Sequence, residues 1–117
     1  MQLALQTHAR LAAHPNDVDR KRIERALQDR KRYRYVSPSV TPVSDGYRIE
    51  SPCCSRNVDP DGGIIDVALF KFDADCSAWN LFRKDHTKAS WELHSSYRRL
   101  PDLLNLLKDD PDREFWQ

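Results

Sequence analysis

The chain has 117 residues, of which 39% are hydrophobic and 32% charged, and its net charge at pH 7 is +1. That length suits a single domain, and three Trp, four Tyr and four Phe supply large side chains for one core. No run approaches the roughly 18 apolar residues of a membrane span, and the first residues lack the pattern of a secretory signal. We therefore predict one globular domain over residues 1–117, located in the cytoplasm.

Residues 1–32 are predicted to be helical. Leucines and alanines between positions 3 and 13 favour a short first helix that ends before Pro15. Asn16 is a good N-cap, so we expect a second helix from Asp17 to about Arg32. The side of this helix opposite its apolar stripe is basic and consists of Lys21, Arg25 and Arg32.

A β-hairpin is predicted over residues 34–50. The segment after the second helix is rich in aromatic and β-branched residues, but Pro38 and Pro42 restrict it to an edge strand. The dipeptide Asp45-Gly46 is typical of a hairpin turn, and the residues that follow it alternate between apolar and polar.

Three more strands are predicted in the second half of the chain. The run 64–72 is apolar on both faces, which favours a central strand covered on both sides. Two shorter runs, 79–84 and 90–94, are joined by a polar turn. Because the connections are short, residues 33–99 should form an antiparallel meander of about five strands.

The C-terminal region, residues 100–117, is predicted to be a helix followed by an aromatic tail. Pro101 suits the first turn of a helix, and leucines at positions 100, 103, 104 and 107 supply its buried face. Phe115 and Trp116 are expected to fold back onto the core, since an exposed aromatic pair is costly. The fold class is therefore α+β, with the sheet packed against N-terminal helices and one C-terminal helix.

Reactive side chains are few, and the candidates for catalysis are Cys53, Cys54, His86 and His94. Either adjacent cysteine could serve a thiol-dependent enzyme or a redox sensor if a histidine approaches it in space. The simpler interpretation is that Cys53 and Cys54 are unreactive side chains at the end of a strand.

No cofactor or metal ion is expected. A zinc site built from Cys53, Cys54, Cys76 and His86 has suitable ligand types but lacks the usual CxxC spacing. The run 57–62 resembles the start of a calcium loop, yet its twelfth position is Ala68 where a glutamate is needed, so we interpret it as a turn.

The basic segment 20–34 holds eight basic and two acidic residues. Its cations could contact phosphates, and Tyr33 and Tyr35 could stack on bases, so a nucleic-acid-binding domain is one alternative. Against it, the pI is only about 7.8, and several of these cations are spaced for ion pairs within a helix.

Charge is divided unevenly, because residues 1–49 hold ten basic and five acidic residues and residues 50–117 hold nine and thirteen. This asymmetry and the lack of a catalytic motif favour a small non-catalytic regulator, adaptor or inhibitor that binds another macromolecule. A protein partner is favoured over nucleic acid, and no membrane is expected. The edge strand 35–43 could accept a partner strand or form a homodimer. The binding residues predicted on this side are Lys21, Arg25, Arg32, Tyr33 and Tyr35.

Overall fold

The computed structural model describes residues 14–31, 37–52 and 63–116. The elements in these residues are α1 (Asp17–Leu27), β1 (Ser39–Val43), β2 (Gly46–Pro52), β3 (Ile64–Asp73), β4 (Ala78–Asp85), β5 (Ser90–Tyr97) and α2 (Leu100–Asp109). The strands form one sheet in the order β1-β2-β3-β4-β5, and every neighbouring pair is antiparallel. The predicted α+β meander is therefore confirmed. The helix predicted within residues 3–13 lies outside the described residues.

α1 begins where the sequence predicts. The Asn16 side chain accepts a hydrogen bond of 2.8 Å from the backbone N–H of Asp19, and both acids of the first turn suit the positive end of the helix dipole. Ile23 and Leu27 are fully buried and attach the helix to the core.

The end of α1 differs from the prediction, because the helix stops at Leu27 and not near Arg32. Arg30 is 2% exposed; its Nη1 donates to the carbonyl of Leu27 at 2.8 Å and its guanidinium lies 4.6 Å from the ring centroid of Trp116. The next residue, Lys31, donates its backbone N–H to the carbonyl of Lys108. Contacts with the C-terminal region thus replace the last predicted turn of the helix.

The hairpin of β1 and β2 confirms the prediction for residues 39–50, whereas residues 34–36 lie outside the described part of the chain. Its loop is Ser44-Asp45, and Asp45 takes a left-handed conformation with φ of 63°. Gly46 is already the first residue of β2, where a Cβ atom would lie 1.8 Å from the carbonyl oxygen of Phe70. The glycine is required by this close approach of β3.

The core lies between one face of the sheet, the inner face, and both helices. Tyr47, Ile49, Phe70 and Leu81 are fully buried on this face and form one cluster with the leucines of α2. α1 packs against β1, and α2 packs against β4 and β5. Phe115 and Trp116 are each 2% exposed within the same cluster, which confirms that the aromatic tail folds back.

The opposite side of the sheet, the outer face, carries no helix in the described ranges 14–31, 37–52 and 63–116. Among these residues, helices therefore cover one side of β3, and coverage of its other side remains a prediction. Both helices share one core cluster with Phe70, so they occupy the same side of β3. The apolar outer residues of β3 differ in exposure, since Ile64 is 68% exposed and Leu69 is partly exposed. In the described part of the chain, neither helix has the length and apolar character needed to cross a membrane.

Candidate functional site

The outer face has an apolar row at its centre, formed by Leu69, Phe82 and Leu93. These side chains are neighbours on consecutive strands, because Leu69 pairs with Phe82 and Phe82 pairs with Leu93. Side chains alternate between the two faces of a strand, so the row lies opposite the buried residues Phe70 and Leu81. Leu93 is 60% exposed and the other two members are partly exposed.

A network of ion pairs borders one flank of the apolar row. Arg48 Nε donates to Asp66 Oδ1 at 2.6 Å, and Lys84 Nζ lies 3.0 Å from Asp66 Oδ2. Burial alone would raise the pKa of Asp66, but hydrogen bonds and attraction from Lys84 and Arg48 hold that pKa below its usual value. Arg48 also approaches Glu50 at 3.7 Å, and Lys84 lies 4.9 Å from the ring centroid of Trp91. The charges on this flank therefore largely neutralise each other.

The other flank of the apolar row contains Lys71, which pairs with Asn80 across β3 and β4. Asn80 accepts a hydrogen bond of 2.7 Å from Ser96 on β5. Lys71 is partly exposed, and within the described residues no ion pair engages it. This flank also carries acidic side chains, because Asp73 lies two residues after Lys71 on the same face of β3, and Asp45 and Asp75 line the same cavity as Lys71.

Two β-bulges determine which residues reach each face. Ile49 pairs with Ala68 and Glu50 with Asp66, so Val67 is an extra residue in β3. Leu81 pairs with Ser95 and Phe82 with Leu93, so His94 is an extra residue in β5. The bulge at His94 shifts the alternation of β5 and so places Leu93 opposite Phe82, whereas the bulge at Val67 places Asp66 on the same face as Leu69.

The predicted basic face is only partly available. Lys21 and Arg25 are exposed on the helix side opposite Ile23 and Leu27, and no ion pair of the described residues holds either cation. The remaining predicted binding residues Arg32, Tyr33 and Tyr35 lie outside the described residues. The other described cations of this segment are engaged: Arg20 with Asp17 and Glu24, Arg22 with Asp19, Lys31 with Asp109, and Arg30 with Leu27 and Trp116.

The free edge of β1 offers few hydrogen-bond donors. The carbonyl of Asp45 points toward β3, because it accepts a hydrogen bond of 2.8 Å from the N–H of Phe72. Backbone groups of consecutive residues point to opposite sides of a strand, so those of the next residue, Gly46, point toward its β1 partner Val43. Along β1 the backbone groups alternate in the same way, so those of Val43 point toward β2 and those of Pro42 and Val40 point toward the open edge. Since proline has no N–H, Val40 supplies the only outward donor within β1.

The thiol candidates are only partly described, since Cys53, Cys54 and the loop 57–62 lie outside the described residues. Cys76 is exposed, and the negative charges of Asp73 and Asp75 raise the pKa of its thiol. A raised pKa keeps this thiol protonated at neutral pH, which lowers its reactivity. No group of three or more potential metal ligands occurs among residues 14–31, 37–52 and 63–116.

The two candidate histidines have separate surroundings. His86 follows β4, and burial lowers its pKa. His94 lies in the bulge of β5, with Nδ1 2.8 Å from Ser95 Oγ and Nε2 2.5 Å from a carboxylate oxygen of Glu114. In the described structure no contact joins His86 to His94 or either of them to Cys76, so these side chains do not form one site.

Sequence reasoning missed the apolar row and its charged flank. In β3 and β4, apolar residues occupy both even and odd positions, which places them on both faces of the sheet. This pattern indicates a second apolar surface. The alignment of Leu93 with Phe82 depends on the bulge at His94, and the position of Asp66 depends on the bulge at Val67. The strand patterns do not indicate where an extra residue is inserted.

Comparisons with known proteins give a family but no activity. Neither the curated proteins nor the solved structures contain a match to this chain. The model of the family described as a domain of unknown function, DUF3024, matches residues 11–117, which is most of the chain, and the protein therefore belongs to that family.

Proposed function

We propose that this protein is a non-catalytic interaction protein, a small regulator, adaptor or inhibitor, whose outer face binds another protein. The observation that carries the proposal is the apolar row of Leu69, Phe82 and Leu93 on a face that no described helix covers. Adjacent apolar side chains that remain in contact with water favour association with an apolar surface on a partner.

The charges around the row favour a protein over a nucleic acid. Phosphate binding needs cations that are free to neutralise the backbone, whereas Arg48 and Lys84 both engage Asp66. An apolar centre with a polar, ion-paired rim resembles the composition of protein interfaces. The partner packs on the face of the sheet and not on its β1 edge, because Pro42 removes a donor from that edge.

A cytoplasmic location is part of the same proposal. Cys76 is an exposed free thiol, which suits a reducing compartment.

Photo-crosslinking in living cells tests the proposal. A photoreactive amino acid replaces Leu93 on the outer face in one variant and Asn105, an exposed residue of α2, in a matched control. We expect irradiation to give a protein adduct of defined mass at position 93 and none of that mass at position 105. Equal labelling at both positions, or no adduct at either, would contradict binding through the outer face.

Nucleic-acid binding through the basic helix is the second candidate, and the exposed cations Lys21 and Arg25 favour it. If it is correct, labelled RNA or DNA will bind at low salt, where the phosphate contribution is largest. The triple substitution Lys21→Ala/Arg25→Ala/Arg32→Ala should then weaken binding at least tenfold. A control with Lys88→Ala and Arg113→Ala, which changes exposed cations elsewhere, should bind normally. Absence of binding by the unaltered protein at low salt would eliminate this candidate.

A further inference from the structure

We infer that Ser95 is a nucleophilic side chain that accepts an acyl group from an activated ester, and that His94 and Glu114 make it reactive. Ser95 lies on β5, the last strand in the order of the sheet, and shares the inner face with its cross-strand partner Leu81. The inference goes beyond the proposed function and does not depend on it, because the apolar row lies on the other face.

The bulge of β5 brings the side chains of His94 and Ser95 together. Adjacent residues of a regular strand point to opposite faces of a sheet. His94 is the extra residue of the bulge, and its Nδ1 lies 2.8 Å from Ser95 Oγ. Bulges are frequent beside active sites because they redirect a side chain in this way. The irregular backbone thus places a hydroxyl against an imidazole.

Glu114 determines which nitrogen of this imidazole accepts a proton. Its carboxylate lies 2.5 Å from His94 Nε2, so the neutral ring keeps its proton on Nε2 and presents an unprotonated Nδ1 to Ser95. The ring of Phe115 packs against the imidazole in a T-shaped contact, with 5.1 Å between the two centroids. A serine, an imidazole that takes its proton and a carboxylate that orients the imidazole form the arrangement that activates a serine for attack.

The Ser95 hydroxyl has a second neighbour, because Oγ also donates to the hydroxyl oxygen of Tyr97 at 2.7 Å. A hydroxyl group rotates about its bond, so Tyr97 and His94 Nδ1 compete for the same proton. Attack proceeds from the orientation in which the proton points to Nδ1.

A backbone N–H group next to Ser95 is placed to stabilise the negative charge that develops on the carbonyl oxygen. The N–H of Phe72 bonds the carbonyl of Asp45, so the backbone groups of Lys71 point toward β4. Through the pairing of β3 with β4 and of β4 with β5, the groups of Ser95 point toward β4 and those of Ser96 toward the open edge. The N–H of the residue after the nucleophile serves as such a donor in serine hydrolases.

The reaction moves one acyl group and one proton. Oγ of Ser95 bonds the carbonyl carbon of the ester while the hydroxyl proton moves to His94 Nδ1. The bond from this carbon to the leaving oxygen then breaks, and the leaving oxygen takes the proton from Nδ1.

The size of the adjoining cleft indicates which esters react. The cleft is lined in part by His94, Leu106 and Phe115, and its volume is about 20 Å³, room for about one water molecule. Because so small a cleft binds little of a substrate, the ester must supply its own reactivity. We therefore expect a small acyl group on a good leaving group, as in an aryl acetate.

A fluorophosphonate tests whether Ser95 is nucleophilic, because its phosphorus forms a stable bond to an activated serine oxygen as fluoride leaves. We expect peptide mapping of the unaltered full-length chain to place the adduct on Ser95, and the urea-unfolded chain not to react. Ser95→Ala should abolish the adduct. Ser96→Ala is the matched control and should react at the normal rate, because Ser96 Oγ bonds Asn80 and not His94. Tyr97→Phe, which removes the competing acceptor, should react at least as fast as the unaltered protein.

Two further variants separate the roles of His94 and Glu114. His94→Gln removes the general base and should slow the reaction about 100-fold or more. Glu114 is a positioning residue, so Glu114→Ala should slow it about tenfold or more. In addition, ¹⁵N NMR at pH 8 should show the His94 ring protonated on Nε2 in the unaltered protein, and a mixture of both neutral forms in Glu114→Ala.

Release of p-nitrophenol from p-nitrophenyl acetate tests the acyl transfer itself. We expect Ser95→Ala and His94→Gln to lower this rate to that of the urea-unfolded chain, with circular dichroism to confirm that each variant is folded. The inference is wrong if the fluorophosphonate labels another residue or none, or if either variant releases the phenol at the full rate. An unchanged His94 ring in Glu114→Ala would likewise contradict it.

Discussion

Asp110, which is 1% exposed, holds residues 114–116 after α2 in place. It follows α2 in a left-handed conformation with φ of 38°, and its own N–H donates to the carbonyl of Leu106 at 2.7 Å. Its carboxylate accepts backbone N–H groups at 2.8 Å from Glu114, at 3.2 Å from Phe115 and at 2.9 Å from Trp116. One side chain thus satisfies the donors of the tail and allows the two aromatic rings to be buried.

Replacing this carboxylate should cost much of the stability of the fold. We expect Asp110→Ala to lower the free energy of unfolding by about 2 to 4 kcal/mol, because buried backbone donors lose their acceptor. Asp110→Asn keeps one acceptor oxygen and tolerates positive φ, so it should lower the free energy of unfolding by less than Asp110→Ala does. Urea denaturation measures both variants, with the exposed Asp112→Ala as a control that should change stability by less than about 0.5 kcal/mol. A loss below about 1 kcal/mol for Asp110→Ala would contradict this role.

At the scale of elements, the β1–β2 hairpin needs a positive φ at one residue and space for a neighbouring carbonyl group at the next. Asp45 supplies the positive φ of the turn, and Gly46 supplies the space for the carbonyl of Phe70. The dipeptide therefore predicts the hairpin correctly, although the glycine serves sheet packing and the aspartate takes the strained conformation.

Substitutions at these two positions should have unequal effects. Gly46→Ala places a Cβ atom against backbone that cannot move without breaking the β2–β3 ladder, so we expect a loss of about 2 to 4 kcal/mol. Asp45→Gly removes the cost of positive φ but adds chain entropy to the unfolded state, so it should change stability by less than about 1 kcal/mol. Thermal unfolding of both variants measures the difference. Similar losses in the two would show that turn conformation, and not the approach of β3, determines the need for glycine.

Local signals predict most of the elements. The N-cap Asn16, the hairpin dipeptide, the apolar strand beginning at Ile64 and Pro101 each lie at a boundary where short-range chemistry decides the structure. The end of α1 was not predictable, because Arg30 is held by a ring of Trp116 that is distant in sequence. The apolar row was missed for the same kind of reason, since it depends on register between strands.

At the scale of the whole molecule, part of the charge asymmetry is satisfied internally. The basic segment meets the acidic second half where α1 approaches α2, with Lys31 Nζ 2.5 Å from Asp109 Oδ1. Net charge along the sequence therefore overstates the positive potential of the α1 surface.

The start of the described chain is anchored by His14, whose side chain is 8% exposed. Its ring centroid lies 4.4 Å from that of Trp79 and 5.3 Å from that of Phe72. Nδ1 lies 3.1 Å from the hydroxyl of Tyr47 and 3.4 Å from a carboxylate oxygen of Asp19. Burial lowers the pKa of His14 by more than the charge of Asp19 raises it.

The lowered pKa of His14 makes the fold sensitive to mild acid. In the unfolded chain the imidazole keeps its usual pKa of 6.5, so as the pH falls the unfolded state binds the proton before the folded state does. Stability is then fully present above pH 6.5 and decreases as the pH falls toward the lower pKa of the folded state. Burial also lowers the pKa of His86, so this residue likewise makes the fold less stable as the pH falls. Asp66 and Asp85, whose pKa values lie below their usual 3.8, act only at more acidic pH.

Urea unfolding between pH 7.5 and 5.5 measures this dependence. We expect the unaltered protein to keep its stability from pH 7.5 down to about 6.5 and to lose stability progressively below that pH. His14→Gln should be less stable at pH 7.5, because it loses ring contacts, yet its stability should depend less on pH. The control Gln28→Ala, an exposed position without a titrating group, should keep the slope of the unaltered protein. If His14→Gln retains the full slope, the proton uptake belongs to other groups, and burial of the His14 imidazole does not control how the fold responds to acid.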